Sequence, residues 1–184
     1  MSATGELVAE HGGVKLALRI LAKMCDRLEA GKGVPAGHLE EMLDFLKVFV
    51  DTCHHGKEEQ HLFPAMEAAG VPREGGPIGR MLLDHEEGRA LIRSMTAAER
   101  RYAAGEAGAG SDFAAAARGY AILLLAHIDR EDHVLYPMAE ARLSPETMEA
   151  LETAFEAVEE EVVGRGRHEA FHAMLERLAT EYGA

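Results

Sequence analysis

The chain has 184 residues, 47% of them hydrophobic and 28% charged, enough to bury one substantial core. Its formal net charge of -13 argues against nucleic acid and anionic membrane surfaces as partners, since both would repel so acidic a surface. The N-terminus lacks the basic and apolar regions of a signal peptide, and the longest apolar run, Tyr120 to Ala126, is too short to span a bilayer, so a cytoplasmic protein is expected.

From Leu7 to Leu28 the residues Leu7, His11, Val14, Leu18, Leu21, Cys25 and Leu28 recur at steps of four and three, the seam of a bundle helix with one ionisable member. Gly31 to Pro35 breaks that helix. A second begins near Ala36, where Leu39, Leu43, Leu46 and Val50 lead to His54 and Glu58, with Leu62 and Met66 beyond. The breakers between Gly70 and Pro77 separate it from a third helix, starting near Ile78, whose inner stripe is Ile78, Leu82, His85, Ile92 and Met95. Gly105 to Ser111 ends that helix, and Ser111 or Asp112 is expected to cap a fourth with the seam Phe113, Ala117, Tyr120, Leu124, His127, Glu131, Val134 and Met138. Ser144-Pro145 is a cap followed by proline at the first helical position, and opens a fifth helix with Met148, Leu151, Phe155, Val158 and Val162 on one side. A sixth, near residues 167–182, carries Phe171, Leu175, Leu178 and Tyr182. No strand-like alternation persists, so the expected fold is all-α. An up-down-up-down four-helix bundle over residues 1–143 is predicted, with residues 144–184 as a helical extension packed on its outside.

The chain also repeats itself. His54 and Glu58 stand four apart, so on a helix they differ by about 40° of rotation and about 6 Å of rise and can face one ion. His127 and Glu131 have the same spacing, and both copies end in an aromatic residue and proline, Phe63-Pro64 and Tyr136-Pro137, at the same distance from the glutamate. Glu10-His11 and Asp84-His85 match likewise. Each half thus supplies one lone histidine and one His-x-x-x-Glu unit, bringing His11, His54, Glu58, His85, His127 and Glu131 towards one level of the bundle.

Burying two carboxylates and four imidazoles without a cation would cost several kcal/mol for each unpaired group. A metal removes the conflict by neutralising the carboxylates and accepting the imidazole lone pairs. Six donors overfill a tetrahedral zinc site, whereas two glutamates can bridge a pair of ions flanked by histidines. Mixed nitrogen and oxygen donors suit iron, with manganese or zinc possible.

These pieces, Glu10-His11, His54 to Pro64, Asp84 to Arg89 and His127 to Pro137, resemble the hemerythrin-like family, the HHE cation-binding domain, over roughly residues 7–142. The resemblance implies a non-haem di-iron centre, Fe2+ or Fe3+ with an oxo or hydroxo bridge, that binds dioxygen, peroxide or nitric oxide. It assigns His11 and His54 to one iron, His85 and His127 to the other, and Glu58 and Glu131 to the bridge. The oxygen-carrying members have a further histidine one turn after the third-helix histidine, and here that position is Arg89. Their second acidic bridge follows its histidine by five, which would select Asp132, but the internal repeat favours Glu131. One fewer imidazole leaves the His85 iron more open, and turns the expectation from stable oxygen carriage to sensing, storage or iron handling. The rivals are an oxidase or peroxidase, in which Arg89 or Tyr102 assists a bound oxygen species, and a purely structural cation site.

The remaining ionisable residues make weaker cases. His55 and Glu59 repeat the spacing one residue out of phase and replace His54 and Glu58 if the helical phase is shifted. Glu86 joins the site only if the third helix is distorted. His61 and His133 fall off the repeat, His168 and His172 form an exposed or interface pair, and His38 lies on the surface. Tyr120 lines the site or is core with a paired hydroxyl. Cys25 and Cys53 are expected as buried thiols too far apart for a disulfide.

Overall fold

The computed structural model describes residues 2–184, and for Arg165 the backbone only. Six helices make up the fold, with no strand among the described residues. They are α1 (Ala3–Glu29), α2 (36–68), α3 (Pro77–Ala103), α4 (109–142), α5 (Pro145–Val162) and α6 (Arg165–Tyr182). No described helix is long and apolar enough to cross a membrane.

Local chemistry sets the boundaries. The Ser2 hydroxyl caps α1 by accepting the Gly5 N–H at 3.1 Å, and Ser144 caps α5 by accepting the Thr147 N–H at 3.2 Å. Between α1 and α2 the chain turns through Gly31 and Gly33, both at positive φ, and the Tyr102 hydroxyl pins that loop by donating to the Val34 carbonyl at 2.9 Å. The fourth helix starts earlier than its sequence suggests, at Ala109 after a left-handed Gly108, so neither Ser111 nor Asp112 is its cap.

Packing follows the seams. α4 lies against both α1 and α3, α2 lies against α3, and α5 and α6 pack across α1 and α2. Every predicted α1 seam residue is buried, and so is every one on α2 from Leu39 to Met66. Two apolar clusters result. One, around Leu21, Phe45, Tyr120 and Leu178, fills one end of the body, and the other, around Leu7, Phe63, Tyr136 and Phe155, fills the other. The ionisable side chains of the repeat lie between them.

Neither α2 nor α4 is a uniform α-helix. Backbone N–H groups reach back five residues instead of four at His55 to Val50, Phe63 to Glu58 and Tyr136 to Glu131, marking π-helical turns at Leu46–His54, Glu58–Leu62 and Glu131–Leu135. The extra residue rotates the remainder of each helix about its axis. Val134, expected in the seam, is 50% exposed, and Leu135 and Tyr136 are buried in its place.

Cys25 and Cys53 are both free and buried, and burial raises their thiol pKa values to about 11 and about 12. Neither should react with a disulfide reagent at pH 8 in the native protein, and both should react once urea unfolds it. Rapid labelling of the folded chain would contradict this packing.

Candidate metal centre

The ionisable seam residues converge in two groups. One holds His11, His54 and Glu131, and the other His55, Glu58, His85 and His127; within each, one donor atom per residue lies within 4.8 Å of all the others. His11 and His54 face each other through Nε2 at 3.2 Å, as do His85 and His127. Glu131 spans the groups, with Oε2 3.2 Å from His11 Nε2 and Oε1 2.7 Å from His127 Nε2. Glu58 sends Oε2 to within 3.3 Å of His85 Nε2, while its Oε1 accepts the Tyr136 hydroxyl at 2.8 Å. All six residues singled out by the repeat are brought together here, each no more than 2% exposed.

An outer ring of acids orients the imidazoles. The Nδ1 atoms of His54, His85 and His11 donate to Glu10 at 2.6 Å, Glu59 at 2.7 Å and Asp132 at 2.6 Å, and that of His127 lies 3.4 Å from Asp84. These links run from α1 to α2, α2 to α3, α3 to α4 and α4 back to α1. With its outer nitrogen bonded, each ring presents Nε2 inward, the arrangement by which metal-binding histidines are oriented. Asp132 and Glu59 thus hold imidazoles from outside. Glu86 is 69% exposed and takes no part.

His55 is the residue that a regular helix conceals. On an α-pitch it points about 100° away from His54, but the π-turn ending at His54 leaves both rings buried. His55 therefore adds to the pair His54 and Glu58 and does not replace it. Its ring stacks on His85 at 3.8 Å between centroids, and neither of its nitrogens has a hydrogen-bond partner. A fifth imidazole thus joins the cluster, from α2.

The electrostatics of the cluster follow from its mixture of carboxylates and imidazoles. Burial disfavours the charged form of His54, His85 and His127, yet the surrounding carboxylates outweigh it and raise all three pKa values, that of His127 to about 10. His55 goes the other way, driven well below its usual value by burial and by its imidazole neighbours. For Glu131, the field of His127 and the close approach of the His11 and His127 imidazoles overcome burial and hold the carboxyl well down. Even so, both Glu131 oxygens, Glu58 Oε2 and both His55 nitrogens lack geometrically formed hydrogen bonds. Buried polar atoms are rarely left so, and here they belong to the two donor groups. Nitrogen and carboxylate donors in such numbers fit iron, manganese or zinc.

The aromatic residues beside the site repeat too. Phe63 stacks on His85 at 5.9 Å and Tyr136 on His11 at 5.7 Å, so the phenol on Glu58 is one point at which the halves differ. Tyr120 is buried with its hydroxyl unpartnered, beside a void of about 10 Å³ that His55 and His127 also line. Arg89 pairs with Asp51, Glu59 and Glu86 at 2.7, 2.7 and 2.9 Å, and the Tyr102 hydroxyl bonds the loop at Val34. His133 is 72% exposed, and His61 is partly buried against Phe155. His38 is no plain surface residue, since its Nδ1 pairs with the Tyr182 hydroxyl at 2.8 Å. A third acidic cluster, Glu6, Glu10 and Glu159, surrounds the Lys57 ammonium and so already holds a cation.

Comparison with known proteins places this geometry in context. The hemerythrin HHE cation binding domain matches residues 2–139. Uncharacterized proteins of Mycobacterium bovis and of two Mycobacterium tuberculosis strains are each 28% identical over 179 residues, 97% of this chain and 68% of each relative. No solved structure gives a significant match.

Proposed function

The chain belongs to the hemerythrin HHE cation-binding domain family, and from that membership and the geometry above we propose that it is a non-haem di-iron protein that binds dioxygen, peroxide or nitric oxide. The reading takes residues 1–143 as an up-down-up-down bundle around the ions and residues 144–184 as its extension, in a cytoplasmic protein. His11 and His54 would hold one ion and His55, His85 and His127 the other, with Glu131 and Glu58 between them. A pair of iron ions there would supply one-electron redox chemistry and open positions for a small ligand. The chain contributes inward-facing Nε2 donors, acids that hold each ring in one orientation, and apolar packing at both ends that keeps bulk water out.

The observation that carries this reading is the gathering of buried carboxylate and imidazole donors into two groups that Glu131 links, several of their atoms having no hydrogen bond. Metal analysis and an absorption spectrum of protein purified in air test it. Iron near two atoms per chain is expected, in keeping with the number of donors, with oxo-bridge charge-transfer bands that vanish in His127→Ala and Glu131→Ala. Zinc alone, at one per chain, would overturn it.

A further inference from the structure

Where α5 and α6 pack across α1 and α2 they leave a cavity of about 300 Å³, partly open to solvent. This is the lower end of the range for small-molecule sites. Part of its lining is aromatic: Phe45 and Phe49 stack at 5.0 Å, and Phe171 meets Phe45 edge-on at 5.5 Å. Another part is acidic, formed by Glu6, Glu10 and Glu159. Lys57 supplies one positive charge to these three carboxylates and His54 bonds Glu10 at 2.6 Å, so with both charged a negative excess of one remains. His168, 3.6 Å from Glu159, and His172 complete this side of the lining. An adjoining surface hollow adds Glu156, Glu160 and Glu169.

We propose that this cavity is a second binding site, separate from the histidine cluster, for a small organic amine with an aromatic or alkyl body. The apolar lining and the size require a carbon body, because a bare inorganic ion would leave the phenyl rings facing water. The carboxylates select the head group. A cation gains from them and from the ring faces, an anion is repelled, and a neutral head leaves acids dehydrated without compensation. The proposal does not depend on what the histidine cluster binds.

Titration calorimetry of the full chain with phenylbutylamine, phenylbutyrate and phenylbutanol, one body with three heads, tests it. The amine should bind about tenfold or more tighter than the alcohol, with no measurable binding of the carboxylate. Glu159→Gln should weaken the amine and leave the alcohol unchanged. Gly13→Leu provides the control for folding. Gly13 lines the cavity on α1, and a Cβ there meets nothing within 4 Å, so the new side chain fills the space while removing a mid-helix glycine. That variant should melt at a higher temperature and bind no amine. Equal affinity for the three heads, preference for the carboxylate, or undiminished amine binding in Gly13→Leu would overturn the assignment.

Discussion

Replacing His55 with phenylalanine should make the metal-free protein more stable and the metal-loaded protein poorer in metal. The ring is 4% exposed, stacks on His85 and makes no hydrogen bond at either nitrogen, the nearest acid being Asp51 at 3.6 Å from Nδ1. An unsatisfied buried polar group costs about 1–3 kcal/mol, and a phenyl ring of nearly the same shape removes that cost. In the loaded protein the same change deletes a donor from the group of His85, His127 and Glu58. Chemical denaturation of the apo-protein should therefore show a higher midpoint for His55→Phe, while metal analysis shows one of the two ions reduced or lost. A core histidine with no ligand role would raise the apo midpoint and leave the metal content unchanged. That outcome would confine the site to the six residues of the repeat.

Lys57→Met should cost about 3–5 kcal/mol of stability, the range for breaking a buried ion pair from one side. Lys57 is wholly buried, with Nζ 2.5 Å from Glu6 and 2.6 Å from Glu10. Burial works against the Glu10 carboxylate, yet His54 and then Lys57 lower its pKa from 4.5 to about 2. A depressed carboxyl stabilises the fold above its unfolded value and loses that contribution as pH falls through the folded one. The wild-type advantage over Lys57→Met, measured as a difference in urea midpoints of the metal-free proteins, should thus be full at neutral pH and shrink from about pH 4.5 towards 2. On the alkaline side Lys57 is itself raised above 10.5, so its contribution persists until pH passes that elevated value. A variant as stable as wild type at pH 7 would mean that water reaches those carboxylates.

The seams of α1 and of the first turns of α2 could be read directly because an α-helix converts residue spacing into a face, and Leu7 and Leu39 are both fully buried. The six ionisable residues were legible for the same reason, being misplaced charges at seam positions. His55 and Val134 were not, because π-turns are absent from any fixed spacing rule. A signal was nonetheless present in Phe63-Pro64 and Tyr136-Pro137. Proline has no N–H to bond four residues back, and its ring crowds the carbonyl there, so the helix must open just before it. Both the Glu58–Leu62 and the Glu131–Leu135 turns end two residues short of a proline. The cross-helix pairing was hidden for another reason: Glu10 precedes His11 but binds His54, and Asp84 precedes His85 but lies against His127. Adjacency in the chain says nothing about which neighbouring helix a side chain will meet.

The closed circuit of acids around the imidazoles bears on how fast and how selectively a guest is accepted. Rings that could spin freely would have to stop doing so upon capture, and that loss of rotational freedom would be subtracted from affinity. Here the freezing happens when the polypeptide collapses, so an arriving ion meets donors already aimed. Donors held in one orientation favour a guest whose radius and geometry suit them, and partners of the wrong size gain less.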